Sequence, residues 1–223
     1  MQKKRLYNCL SLIINLSIIY FTIDANLYNF RTDIIRDDLV FGFGGIKSFC
    51  FFTVLSNVYL AITCAVCLYY NIRNIIRDEY VLPKRVFLLK YTATVAVTLT
   101  MMTVIVFLAP GSALSGKGYF LLFKANNFYL HFLSPMLAII AVIFFENTEG
   151  FEFKNTYLGL IPTALYSLLY ITMVAVIGEA NGGWPDFYGF TFGGKLYLAP
   201  VSALFTLGAT YLFAYLIWKA KRK

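Results

Sequence analysis

The chain has 223 residues, of which 60% are hydrophobic and 13% charged, with a mean hydropathy of +0.70. Such a composition excludes an ordinary soluble globular domain. The formal net charge of +8 falls mainly on short segments between apolar stretches, which favours anionic lipid headgroups and makes a nucleic-acid partner unnecessary.

Six apolar stretches approach the roughly 20 residues that a helix needs to cross a hydrocarbon core: about 5–24, 46–70, 86–109, 126–145, 156–178 and 197–218. None alternates over about ten residues as a transmembrane β-strand would. The predicted fold is therefore all-α and polytopic, a single domain over residues 1–223 with six transmembrane helices.

In chain order, the first stretch follows MQKKR as a signal peptide would. Its apolar part is long and no small-residue cleavage site follows, so it reads as a retained anchor. The next connection, DANLYNFRTDIIRDDLVFGFGG, is the longest and ends in a glycine cluster, the kind of loop that carries a binding or lid role. The second stretch contains Thr53, Asn57 and the pair Cys64 and Cys67. On a helix that pair stands at i, i+3, and without further ligands it reads as packing. The third stretch carries TATVAVTLTMMT, whose threonines suit a seam for helix contact. The fourth holds His131, the one histidine of the chain, with Ser134 and Pro135. Pro162 and Pro200 fall in the fifth and sixth, and three kinked spans suit a bundle with an internal pocket. The last long connection, GEANGGWPDFYGFTFGGK, is rich in rings that favour a membrane interface.

With the N-terminus in the cytoplasm, thirteen Lys and Arg residues, Lys90 among them, belong to inner segments and six to outer ones. The positive-inside rule then predicts an N-in/C-in, multi-pass protein of the plasma membrane. No cofactor is expected, since one histidine excludes a bis-histidine haem and no metal-ligand spacing occurs. No Asp/Glu cluster inside the spans suggests a proton or cation path. Composition leaves the oligomeric state open.

An imidazole in a lipid-facing segment must find polar partners or cost free energy, so His131 is either a packing hydrogen bond between helices or a functional group. At 1.5 Å per residue His131 lies roughly 9 Å into the fourth span and Thr53 roughly 10 Å into the second, both counted from the outer side. Asn57 and Ser134 stand one turn below them. Asp24, at the outer end of the first span, and Glu179 and Asp186, in the last outer loop, are expected to approach from above, and Ser134, Trp184 and Tyr188 are further candidates for the pocket. A threonine can attack an ester if a histidine removes its proton, and water then releases the acyl group. Thr53 bonded to a carbonyl of its own helix, with His131 capping a neighbour, would satisfy the same residues without catalysis.

FFTVLSN, HFLSP and GGWPDFYGF, spread over about residues 46–190, resemble the androgen-induced integral membrane protein family and its bacterial relatives. Animal members of that family hydrolyse fatty acid esters of hydroxy fatty acids inside the membrane with a threonine nucleophile and a histidine. The resemblance implies that Thr53 is the nucleophile and His131 the base; the chemistry of such a step then makes Asn57 or a backbone amide the candidate oxyanion donor. It also implies a membrane lipid ester as substrate, entering from the outer leaflet. Here three residues separate His131 from Pro135, one fewer than in the animal pattern, and the aromatic loop differs, which implies a different substrate pocket. A non-catalytic lipid-binding or transport protein using the same cavity is the alternative.

Overall fold

The computed structural model describes residues 2–31 and 45–222. Every regular element among the described residues is helical. Six long helices follow one another: α1 Gln2–Arg31, α2 Phe52–Arg77, α3 Lys84–Leu114, α4 Tyr129–Phe145, α5 Phe153–Ile177 and α6 Leu196–Lys221. All but α4 are long and apolar enough to cross a membrane, which makes the chain an all-helical membrane protein. The lid role expected of the first long connection falls largely on residues 32–44, outside the described residues.

The short α4 opens and closes with π-helical turns, Tyr129–Leu133 and Ala141–Phe145. Pro135 has no N–H to give the His131 carbonyl, and its ring crowds that carbonyl, so the turn before it widens. Fewer residues than expected are thus left for a regular span.

α3 is the central helix. In its most apolar window 67% of residues are buried, against 39% for α2, the next most enclosed. Small and β-branched residues allow this, because they let neighbouring backbones approach. Thr94 and Thr98 return their hydroxyls to the Lys90 and Thr94 carbonyls at 2.8 and 2.7 Å. Thr92 and Thr100 bond across to Tyr59 and Ser56 of α2 at 2.8 and 3.3 Å. The threonine stretch is therefore the helix seam that its spacing predicts. Gly159 serves the other side of α3: a Cβ there would lie 3.0 Å from Ala214 Cβ of α6 and 3.3 Å from Val95 Cγ2, so only a hydrogen fits without displacement.

Cross-helix contacts define the two ends of the bundle. At the termini-bearing end Asn8 donates to the Glu79 carbonyl at 2.8 Å and Lys221 to the Ile143 carbonyl at 3.3 Å. At the opposite end Asn126 donates to Asp24 Oδ2 at 3.1 Å, and the Trp184 amide to the Met173 carbonyl at 3.2 Å.

α2 starts later than its hydropathy suggests. A 3-10 turn, Gly45–Cys50, and the extended Phe51 (φ −82°, ψ 133°) precede it. Thr53 therefore lies in the first turn of α2 rather than two turns down. His131 is likewise in the first turn of α4. Both residues therefore sit nearer the helix starts than a count along the apolar stretches gives, because the apolar residues before α2 belong to a capping turn.

Candidate functional site

At the opposite end a cavity of about 100 Å³ opens between α2, α3, α5, α6 and the loop that follows α5. Its wall is apolar apart from tyrosines and the hydroxyl residues Thr53, Thr100, Thr103, Thr163, Ser167 and Thr206. No Asp, Glu, Lys, Arg or His lines it. Thr100 and Thr206 return their hydroxyls to carbonyls of their own helices, and Thr163 accepts from Thr210. No hydrogen bond engages the hydroxyls of Thr53, Thr103 and Ser167 among the described residues. A hydroxyl facing an apolar space without a partner favours a ligand with a polar atom to share.

The loop after α5 closes the cavity. Asp186 knots it: Oδ1 accepts from the Tyr170 hydroxyl and the Phe190 amide, both at 2.9 Å. Oδ2 accepts from the Thr191 amide at 2.8 Å and the Thr191 hydroxyl at 2.5 Å. Partial burial works to raise the Asp186 carboxyl, but the Thr191, Tyr170 and Phe190 donors outweigh it and hold the group below the usual carboxylate range. Gly183 lets the loop fold back onto α5, since a Cβ there would stand 2.1 Å from the Met173 carbonyl oxygen. The knot in turn positions Tyr188. Its amide donates to the Tyr170 hydroxyl at 2.8 Å, and its own hydroxyl accepts the Phe52 amide at 3.0 Å. The first turn of α2, which has no side-chain cap of its own, is thus capped from another part of the chain. Desolvation pushes the Tyr188 phenol up to about 12, so it stays neutral in this role.

The expected site residues separate into two groups. Thr53 and Tyr188 line the cavity. His131 does not: its Nδ1 bonds the Leu122 carbonyl at 2.6 Å, and no hydrogen bond joins it to Thr53 among the described residues. A carbonyl can only accept, so Nδ1 carries the proton and Nε2 holds the free lone pair. Asn57 links the two helices, giving both Nδ2 hydrogens to carbonyls, Thr53 at 2.8 Å and Leu130 at 3.1 Å. Its amide is consequently spent, and Asn57 is not available as the oxyanion donor expected of it. Ser134 is buried with its hydroxyl unpartnered, outside the cavity wall. Asp24 holds the segment before α4 through Asn126. Trp184 packs with Tyr170 and Phe187 behind the loop, and Glu179 is exposed. Asp186 organises the loop and does not face the cavity.

Sequence reasoning missed a second polar site, at the termini-bearing end. Lys90 of α3, assigned above to the inner-segment charges, is fully buried 3.7 Å from Glu146 Oε1, which follows α4. The pair is a single carboxylate with a single ammonium, not the Asp/Glu cluster that the sequence analysis looked for. Nor is Cys64 only packing, because its sulfur accepts from Lys90 Nζ at 2.8 Å. A signal was available. Asn8, Ser11, Asn15 and Thr22 recur at i, i+3, i+7 and i+14 and are all buried, which marks one polar face of an apolar helix. Tyr166 and Tyr170, four residues apart on α5, were also passed over; Tyr166 anchors the turn before α2 through the Cys50 carbonyl at 2.6 Å.

No protein-family profile, curated protein sequence or solved structure matches this chain.

Proposed function

We propose that this protein binds a membrane lipid, taking one uncharged polar group and the adjoining chain into the cavity beside Thr53. The observation that carries the reading is the set of unpartnered hydroxyls, Thr53, Thr103 and Ser167, on an otherwise apolar wall. The cavity is smaller than the roughly 150 Å³ space that holds a benzene ring, so only part of a lipid enters and the rest stays in the bilayer. A hydrogen bond contributes about 1 kcal/mol net, or about fivefold in affinity. In nanodiscs, Thr53→Val and Ser167→Ala should therefore each weaken binding of a fluorescent acyl ester about fivefold. A double variant that binds as tightly as wild type would refute the reading.

A second reading is hydrolysis of a lipid ester, with Thr53 as nucleophile and His131 as base. The Nδ1 bond to Leu122 favours it, because that bond leaves Nε2 as the proton acceptor, and Asn57 ties the two helices together one residue before His131. In this reading the Thr53 hydroxyl gives its proton to Nε2 and attacks the ester carbonyl. The alcohol then leaves with that proton, and water cleaves the acyl-threonine. Tyr188 Oη, which accepts the Phe52 amide, occupies the position suited to an oxyanion at the first turn of α2. The resemblance to the androgen-induced family points the same way. A fluorophosphonate probe separates the two readings: labelling lost in Thr53→Val and in His131→Ala supports hydrolysis, and an unlabelled protein that still binds the ester supports binding alone.

For either reading we take six spans with α4 included, both termini in the cytoplasm and the cavity in the outer leaflet of the plasma membrane, on the Lys/Arg asymmetry. Cysteine labelling of intact cells, in a background free of native cysteines, tests this. Labelling from outside at position 221 would overturn it.

A further inference from the structure

The buried cluster at the termini-bearing end is built unevenly. Glu146 Oε1 accepts from Ser11 Oγ at 3.3 Å and Asn15 Nδ2 at 3.2 Å, with Lys90 Nζ at 3.7 Å. Glu146 Oε2, equally buried, has no partner. Lys90 does not bond the carboxylate directly. Its ammonium donates to Asn15 Oδ1 and to Cys64 Sγ, so Asn15 bridges the two charges, accepting from one and donating to the other. Asn71 of α2 closes the ring by donating to Ser11 Oγ at 3.0 Å. One cluster thus joins α1, α2, α3 and the end of α4, and its attraction rests on one pair of opposite charges with no access to solvent.

A pair kept only for packing gains most when every lone pair is engaged. Here the idle oxygen belongs to the residue that ends α4, beside the polar segment 147–152, where water lies nearest. We propose that Glu146 Oε2 is a proton-binding site, and that its occupancy unlocks the termini-bearing end of the bundle. The proton comes from water at that end and bonds to Oε2, turning the carboxylate into a neutral acid. No other covalent bond changes. The positive charge of Lys90 then remains with only neutral partners, Asn15 and Cys64. An unpaired ammonium is strongly disfavoured in a low-dielectric interior, so α1 and α4 separate until water reaches it. The other titratable groups facing the cluster are Tyr7 on α1, Cys67 on α2, Tyr80 before α3 and Lys221 on α6. Lys221 is held by the Ile143 and Glu146 carbonyls and adds to the unbalanced positive charge once Glu146 is neutral. This inference does not depend on what the cavity binds.

Hydrogen exchange in nanodiscs tests the lock, read at backbone amides of residues 8–15 and 64–74 and corrected for intrinsic rates. If the open state binds one more proton than the closed state, wild-type exchange there should accelerate about tenfold for each pH unit of acidification. Glu146→Gln should exchange fast at every pH. Lys90→Gln with Glu146→Gln, which removes both charges, should exchange slowly at every pH. The proposal is overturned if wild type and the double variant respond alike to pH, or if Glu146→Gln stays slow. Should the variants fail to fold, infrared spectroscopy of wild type labelled at its glutamate carboxyls decides. A protonated carboxyl band that grows in step with the acceleration of amide exchange supports the lock; its absence throughout the acid transition refutes it.

Discussion

Asp186→Asn removes one charge and almost no volume, yet it should loosen the wall of the cavity. Both carboxylate oxygens accept two hydrogen bonds, and each serves one backbone amide, Phe190 on Oδ1 and Thr191 on Oδ2. Whichever way an asparagine side chain is turned, its NH2 group opposes one of these amides. The hydroxyls of Tyr170 and Thr191 can rotate to accept, but an amide N–H cannot. A buried orphan donor costs about 1–3 kcal/mol, and the remaining bonds lose their charge assistance. Since the loop is only partly buried, a net loss of about 2 kcal/mol is expected, which for a chain of this size lowers Tm by about 4–8 °C. The loss should be local at first. The chain has two tryptophans, and Trp184 lies in the affected loop, so in a Trp218→Phe background its emission reports that loop alone. Emission should move to longer wavelength at a lower temperature than in the parent, and affinity for the acyl ester should fall with it, because Tyr188 is held through the same knot. An Asp186→Asn protein with unchanged Tm and unchanged Trp184 emission would refute the reasoning.

Acid should reproduce that substitution. The Asp186 carboxyl is held below its unfolded value, so its contribution is complete above the ordinary carboxylate pKa of about 3.9 and disappears as pH falls through the lower folded value. Trp184 emission should therefore hold steady down to about that pH and shift below it; a shift centred near neutrality would contradict this. The single histidine of the chain permits an unambiguous 15N spectrum, in which Nδ1 should be protonated and Nε2 bare near neutral pH; the opposite tautomer would remove the support that the Leu122 bond lends to hydrolysis. Gly159→Leu forces a side chain between α3, α5 and α6, where overpacking of this kind costs about 1–3 kcal/mol. Its Tm should drop while Trp184 emission below the transition stays that of wild type, and an unchanged Tm would show that the helices part easily there.

Hydropathy alone was enough for the class of protein and for the approximate limits of most of its apolar helices, because the demand that lipid makes on twenty consecutive residues is a local property of the chain. The threonine seam of α3 was equally legible, since a hydroxyl returning to its own helix needs no partner from elsewhere. Ends of helices were not. The start of α2 depends on a hydroxyl supplied by Tyr188, distant in sequence, and the short α4 follows from a proline whose effect is to widen a turn rather than to end the helix. Thr53 lines the cavity, but its place in the first turn of α2 was not legible from the rise per residue, and neither was the direction of the His131 ring: orientation is set by whichever acceptor lies nearby, here the Leu122 carbonyl. Asp186 carried a charge that suggested chemistry, and only the folded loop turned it to four donors of its own. Lys90 and Glu146 lie 56 residues apart and read separately as ordinary charges near the ends of spans. Their meeting required α1, α2, α3 and α4 to converge, because the free energy that keeps a charge in a membrane interior belongs to the pair and is written in neither residue's own stretch of sequence.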